Sequence, residues 1–260
     1  MVQAKDATMK TTKYAVLTLL AASLAGISAK ANTVTLNLTP GYDWWGGGEF
    51  TANNTTQDFI TGNYSSKAVL NGGFETFCIE TGVEFYPGRT YNYTLGSVAQ
   101  PIPATGAGSA IPLSLGAAYL YYEFAKGSLS DFDYVDTLPN GTRANDDHLL
   151  QAAIWAFQGG QSYGSYPVPT QENNKFYTDA ISALGGLTQA DGANNGFYDV
   201  EILQMWNGTP GVGANAAQNQ LVLAKNDGPV PHPVPDGGMT VTLLAGALVG
   251  LVAMGRKLFC

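Results

Sequence analysis

The sequence predicts an α+β fold, mainly antiparallel β with a helical insertion, plus an N-terminal signal peptide and one C-terminal hydrophobic helix. Three observations support this. In residues 32–100 and 196–225, short stretches alternate apolar and polar residues, as half-buried strands do. In residues 101–185, apolar residues recur at helical spacing. At the two ends, uncharged apolar runs have the flanking residues of targeting segments.

Composition excludes several classes of protein. Of the 260 residues, 12 are basic, 20 are acidic and the formal net charge is −8. Nothing here could neutralise a run of phosphates, so no nucleic-acid partner is expected. With 45% hydrophobic residues, charge-driven disorder is excluded. Because long apolar runs occur only at the ends, a multi-span membrane protein is excluded too.

Residues 1–31 have the pattern of a signal peptide. An apolar, uncharged run at Tyr14–Ile27 follows a positively charged start, and Ala29 and Ala31 occupy the two positions that signal peptidase recognises. The positive residues are Lys5, Lys10 and Lys13. Cleavage would leave Asn32 as the first residue of an exported domain that we place at residues 32–226.

The C-terminal segment has three parts. Residues 227–238 form a proline-rich linker, which the fixed φ of proline keeps extended. Residues 239–260 form a predicted transmembrane helix with a basic tail; its apolar run would span about 25 Å as a helix. Arg256 and Lys257 close that run and would stay in the cytoplasm by the positive-inside rule. The domain before the linker therefore faces outward.

This tail resembles a bacterial protein-sorting signal, the PEP-CTERM group. The segment Val234-Pro235-Asp236-Gly237-Gly238 is similar to the VPDSG-CTERM variant, with Gly237 where that motif has serine. The resemblance implies recognition by an exosortase-like membrane protease, cleavage near the motif and transfer to the cell envelope or cell surface. A simple C-terminal membrane anchor is the alternative.

Each element of the domain has its own pattern. Phe74–Phe85 and Tyr91–Leu95 flank a Pro-Gly turn, which predicts a hairpin with Cys78 on its first strand. The other predicted strands are Thr33–Leu38, Phe197–Leu203 and Leu221–Ala224. The predicted helices are Pro112–Ala125, ending at Gly127; Asp146–Phe157, with an acidic first turn; and Asn173–Leu184, ending at Gly185-Gly186.

Removing the ends changes the charge and the cysteine count. Between Asn32 and Pro235, six basic residues face 18 acidic ones, a net charge of −12. Such a domain suits cations or neutral glycans better than anionic polymers or lipid head groups. Cys78 is then the domain's single cysteine, since Cys260 lies in the tail. It is either a small buried hydrophobe or a reactive thiol.

Two short motifs resemble the signatures of bacterial surface thioester domains. They are Phe77-Cys78-Ile79-Glu80 and Leu150-Gln151-Ala152-Ala153-Ile154-Trp155. The family pattern is an aromatic-Cys-aliphatic strand followed by a Gln-x-x-aliphatic-Trp helix, often called the TQxA motif; Leu150 replaces its threonine. The resemblance implies an internal thioester between the sulfur of Cys78 and the side-chain carbonyl of Gln151. A lysine amine usually opens that bond in the family and becomes covalently attached through the glutamine.

Residues near Gln151 are candidates to support this chemistry. Asp147 and His148 precede it by four and three residues and share its helical face. His148 could act as a base that Asp147 orients, although a surface position at the helix start is the simpler interpretation. Trp155, one turn later, fits core packing or a supporting role.

The sequence is compatible with three functions. The first is an adhesin-like module, not an enzyme, that binds an amine-bearing surface partner covalently. The second is a structural or matrix protein of the extracellular polysaccharide layer, in which Cys78 and Gln151 belong to the core. The third, ranked last, is a secreted hydrolase using carboxylates among Glu75, Glu80 and Glu84. No cofactor motif and no metal-ligand spacing is present in the sequence.

Overall fold

The computed structural model describes residues 32–44, 47–54, 64–81, 83–99, 111–135, 141–159, 173–209 and 215–223. The predicted signal peptide, the linker with its sorting motif and the C-terminal helix lie outside these residues. In the part of the chain that is described, none of the helices combines the length and the hydropathy that crossing a membrane requires.

Nine strands and four helices occur in the described residues. The strands are β1 (Thr33–Trp44), β2 (Gly47–Asn54), β3 (Val69–Leu70), β4 (Gly73–Thr76), β5 (Arg89–Gly96), β6 (Val98–Ala99), β7 (Ile111–Pro112), β8 (Val200–Trp206) and β9 (Ala216–Leu223). The helices are α1 (Leu115–Lys126), α2 (Thr142–Phe157), α3 (Lys175–Ala183) and α4 (Leu187–Ala190). The predicted class, an antiparallel sheet combined with helices, is confirmed.

Seven strands form one antiparallel sheet in the order β3-β4-β2-β1-β5-β8-β9, and β6 pairs with β7 separately. The helical segment enters between β7 and β8, so the last two strands complete a sheet that the first five began. Helix α2 packs on β1 and β2 in the middle of that sheet. The sheet thus places distant parts of the sequence side by side.

The residues after β4 also pair with the last strand, so that the order of strands closes on itself. The N–H of Leu221 donates to the carbonyl of Phe77 at 3.0 Å, and the N–H of Ile79 donates to the carbonyl of Asn219 at 3.1 Å. Between them, Cys78 is bridged to Gln220. This closure fixes Cys78 in the buried interior, where it is 1% exposed.

The predicted hairpin is wrong. β5 follows the Pro87-Gly88 turn as expected, but it pairs with β1 and β8, and β4 pairs with β2 and β3. Gly88 donates its N–H to the carbonyl of Leu36 at 2.8 Å, which directs the chain along β1. The predicted strand Phe74–Phe85 is also too long, since β4 ends at Thr76 and Cys78 lies outside it. Alternation located β1, β5, β8 and β9, but it carries no information about which strand lies beside which.

The predicted helices are present, with starts shifted by two to four residues. Helix α1 has Ser114 as its N-cap and Gly127, at φ 71°, as its C-cap, and Asn174 caps α3. Helix α2 begins at Thr142, one turn earlier than its acidic residues suggested. Asp146 and Asp147 therefore lie inside the helix and are buried.

Closure of the sheet can be tested at Thr76. Its hydroxyl donates to the carbonyl of Leu221 at 2.6 Å. Thr76→Val keeps the side-chain shape and leaves that buried carbonyl with one hydrogen bond fewer. We expect the free energy of unfolding to fall by about 1–2 kcal/mol, measured by denaturant titration.

Thr90→Val is the matched control, because the hydroxyl of Thr90 lies on an exposed side chain of β5. It should change the free energy of unfolding by less than about 0.5 kcal/mol. Equal effects of the two substitutions would contradict a special role for the Thr76 bond.

Candidate functional site

One face of α2 carries a stripe of buried side chains directed at the sheet. Arg143, Asp147, Gln151 and Trp155 follow one another at a spacing of four residues, which places them on one side of a helix. All four are at least 93% buried. The stripe faces the start of β2, and it brings the thioester-candidate glutamine to the segment that contains Cys78.

The carboxamide of Gln151 pairs with the backbone of Cys78 on both sides. Its Oε1 accepts the Cys78 N–H at 3.0 Å, and its Nε2 donates to the Cys78 carbonyl at 2.8 Å. The side-chain amide therefore takes the place that a peptide group of a neighbouring strand would hold. The two residues are 73 positions apart in the chain. Sequence reasoning paired them, and the structure brings them together.

The same geometry brings the two reactive groups into contact. Sγ of Cys78 lies 3.0 Å from Oε1 of Gln151. The N–H of Gly48 also points at this oxygen, at 3.5 Å. Two backbone N–H groups directed at one carbonyl oxygen polarise it and would stabilise negative charge on it. The arrangement places a thiol beside a polarised carboxamide, the two groups that a thioester joins.

Gly47 makes this approach possible. A Cβ at Gly47 would lie 2.6 Å from Cγ of Gln151 and 2.9 Å from Cη2 of Trp155. Its φ of +125° is also a conformation that L side chains rarely adopt. The start of β2 thus has to be glycine for the Gln151 and Trp155 side chains to lie against it.

The environment of Cys78 keeps its thiol protonated. Burial raises the pKa of Cys78 well above its ordinary value, and the nearby charge of Glu80 raises it further; its own backbone and the Trp155 indole act in the opposite direction. A buried, protonated thiol is a poor target for external reagents. Any reaction of this thiol therefore needs a partner that is already in contact with it, and the Gln151 carboxamide is in contact.

Glu80 lies two residues beyond Cys78 and is itself perturbed. Burial raises its pKa to about 7, although hydrogen bonds from Asn219 favour the ionised form. The Asn219 N–H donates to one oxygen at 2.9 Å, and the Asn219 side-chain amide donates to the other. The bonds tie Glu80 to β9, next to Gln220, the residue that bridges Cys78.

The supporting residues are placed differently from the prediction. His148 is half-buried inside α2, and burial lowers its pKa. Asp147 is fully buried, and neither of its carboxyl oxygens has a hydrogen-bond partner among the described residues. Asp147 therefore makes no hydrogen bond that could orient His148. Burial and the neighbouring Glu49 raise the pKa of Asp147 well above its ordinary value.

Arg143 and Glu49, which the sequence did not single out, form the ion pair nearest the candidate site, and Glu75 lies in the same buried group. Arg143 forms a buried, two-pronged ion pair with Glu49, at 3.0 Å and 2.6 Å. Glu75 accepts hydrogen bonds from the hydroxyls of Thr39 and Thr51, at 2.6 Å and 2.8 Å. The spacing of Arg143 four residues before Asp147 and eight before Gln151 is the signal that could have marked it as part of the buried stripe.

Arg143 is paired with Glu49, and its positive charge also acts on the carboxyl groups of Glu75 and Asp147. Burial, with repulsion from Glu49, raises the pKa of Glu75 to about 8. No set of three or more His, Cys, Asp or Glu side chains in the described ranges could hold a metal ion. The three hydrolase candidates do not form one site. Glu75 is bonded to Thr39 and Thr51, Glu80 is bonded to Asn219, and Glu84 is exposed.

Comparison with known proteins adds no assignment: no family model, no curated protein and no solved structure matches this chain.

The raised pKa of Glu75 predicts pH-dependent stability. Its value of about 8 exceeds the ordinary 4.5, so the folded state binds this proton more tightly than the unfolded state. The stability that this proton contributes is therefore fully present below the ordinary pKa of 4.5, and it is lost as pH rises through about 8. Glu75→Gln removes the titration, and it should reduce the loss between about pH 5 and pH 9 by on the order of 3–5 kcal/mol in chemical denaturation.

Glu84→Gln is the control, since this carboxylate is exposed. The other charged groups around Glu75 (Glu49, Arg143 and Asp147) stay in place in both variants. A Glu75→Gln protein with the same pH dependence as the unmodified chain would contradict a proton on Glu75.

The role of Gly47 predicts a second outcome. Gly47→Ala should displace Gln151 from Cys78, lower the free energy of unfolding by about 1–3 kcal/mol and speed alkylation of Cys78. Both effects can be followed, by denaturant titration and by mass spectrometry after iodoacetamide. Gly72→Ala is the matched control, since Gly72 has a positive φ of +77° but nothing within 4 Å of its Cβ position. It should leave alkylation unchanged, and faster alkylation in both variants would contradict the prediction.

Proposed function

We propose that this chain is an exported cell-surface protein, sorted by its VPDSG/PEP-CTERM-type tail, whose domain captures an amine-bearing partner through a Cys78–Gln151 thioester. The observation that carries the proposal is the 3.0 Å contact of Cys78 Sγ with Oε1 of a carboxamide that is held on both sides by the Cys78 backbone. The tail patterns of the sequence support export and anchoring in the envelope.

The chemistry follows from the groups in contact. The sulfur attacks Cδ of Gln151, the Sγ–Cδ bond forms and the Cδ–Nε2 bond breaks. The thiol proton leaves with the amide nitrogen as ammonia. The N–H groups of Cys78 and Gly48 stabilise the negative charge that develops on Oε1. An amine later attacks Cδ, the sulfur leaves, and a new amide joins the partner to Gln151.

Burial supports such a bond. Cys78 and Gln151 are each only 1% exposed, so water has little access to an acyl-sulfur group held between them. The net charge of −12 between Asn32 and Pro235 favours a cationic, amine-bearing group over an anionic polymer.

Intact mass tests the proposal. The protein should weigh about 17 Da less than its own processed sequence, through loss of ammonia. Methylamine should then add once, with the label on Gln151 in peptide mapping. Gln151→Asn keeps the carboxamide but shortens its reach, so both effects should disappear.

Gln158→Asn provides the matched control, because Gln158 is a buried glutamine at the end of α2 that bonds Ser114 and Pro112. It should retain the mass deficit and the reaction with methylamine. An unshifted mass of the unmodified chain would overturn covalent capture.

One observation favours a second function, that of a structural or matrix protein of the extracellular polysaccharide layer. The carboxamide of Gln151 is already fully paired with the Cys78 backbone, which suffices to link α2 to the sheet without a covalent bond. This function predicts a normal mass, no reaction with methylamine and retention on exopolysaccharide. The mass measurement distinguishes the two.

A further inference from the structure

Among the described residues, the indole N–H of Trp155 is a buried donor that meets no acceptor at normal hydrogen-bond geometry. Trp155 is only 7% exposed. Burying an unsatisfied donor is costly, and native proteins rarely do it without a functional reason. A functional reason would be an acceptor that this N–H bonds during a reaction.

The indole of Trp155 lies beside the groups that would react. Trp155 lies one helical turn after Gln151 on the buried face of α2. Its Cη2 and the Cγ of Gln151 both border the empty Cβ position of Gly47, at 2.9 Å and 2.6 Å, so the indole lies beside the Gln151 side chain. The thiol of Cys78 is the group toward which the indole acts as a hydrogen-bond donor, and this interaction lowers the pKa of the thiol, although it is too long or too bent to be a hydrogen bond of normal geometry.

The carbonyl oxygen of Gln151 and the sulfur of Cys78 therefore differ in the hydrogen-bond donors around them. The carbonyl oxygen of Gln151 already has the N–H groups of Cys78 and Gly48. The sulfur is neutral at rest and a weak acceptor, but it carries negative charge when it attacks and again when it departs. A donor that bonds the sulfur more strongly once the sulfur carries negative charge stabilises the transition state more than the resting protein.

We propose that Trp155 is a catalytic residue of the thioester, donating its indole N–H to the sulfur of Cys78 as that sulfur becomes a thiolate. This inference rests on the function proposed above. In formation, the proton of Sγ–H leaves with ammonia while the Sγ–Cδ bond replaces the Cδ–Nε2 bond. In opening, the amine forms a bond to Cδ, the Cδ–Sγ pair of electrons returns to sulfur, and a proton of the amine neutralises the thiolate.

The test removes the N–H while keeping a ring. In the full chain, Trp155→Phe should slow opening by methylamine about tenfold to a hundredfold, as loss of a hydrogen bond to a charged group predicts. Replacing Trp155 with 3-benzothienylalanine keeps the bicyclic shape without the N–H, and it should show the same slowing if the phenylalanine variant folds poorly. Trp206→Phe, which removes another buried indole, on β8, should react at the unmodified rate.

A second readout separates this inference from the thioester itself. The pKa of the free Cys78 thiol, followed by alkylation rate against pH, should rise in both Trp155 variants and stay constant in Trp206→Phe. The thiol is free in methylamine-opened protein, and also in a protein that never forms the bond. An unmodified chain without a mass deficit overturns the thioester. Unchanged opening rates and an unchanged thiol pKa, or equal effects of Trp206→Phe, overturn the role of Trp155.

Discussion

The paired hydrogen bonds between the Gln151 carboxamide and the Cys78 backbone are the interaction on which the rest of this domain depends. They occur where β4 has ended and where the backbone of residue 78 would otherwise be buried with its N–H and C=O unpaired, at a cost of roughly 1–3 kcal/mol for each group. The Gln151 side chain, from the helical segment, supplies the hydrogen-bond acceptor and donor that the backbone of a further strand would supply. The helices are therefore joined to the sheet by its own bonding pattern as well as by apolar packing.

A single physical property, the dryness of the space between α2 and the sheet, explains the behaviour of its polar groups. It raises the pKa values of Cys78, Glu75 and Asp147 by disfavouring their charged forms. It also strengthens the ion pair of Arg143 with Glu49, which has little competition from water. A thiol in such a place is unreactive toward solvent, while a carboxamide in contact with it is the natural partner.

The sequence predicted where helices and strands lie better than it predicted which strands pair. Helical spacing and caps located α1 and α3, because those signals are local. The hairpin at Cys78 was wrong, since the choice of partners for β5 depends on the entire sheet. Cys78 and Gln151 were paired through a motif resemblance, whereas Gly47, Glu49 and Arg143 were missed. Gly47 matters only because two side chains from elsewhere lie against it, and no local pattern records that.

The closed order of strands has a consequence for the protein at high local density. Exposed strand edges invite pairing between molecules. In the described part of the sheet, one edge is β3, which has only two residues, and the other edge, β9, is partly covered by residues 77–79. Molecules at high concentration would therefore find little free backbone at these edges with which to extend the sheet. The segment that carries Cys78 thereby leaves less of the β9 edge free for pairing between molecules.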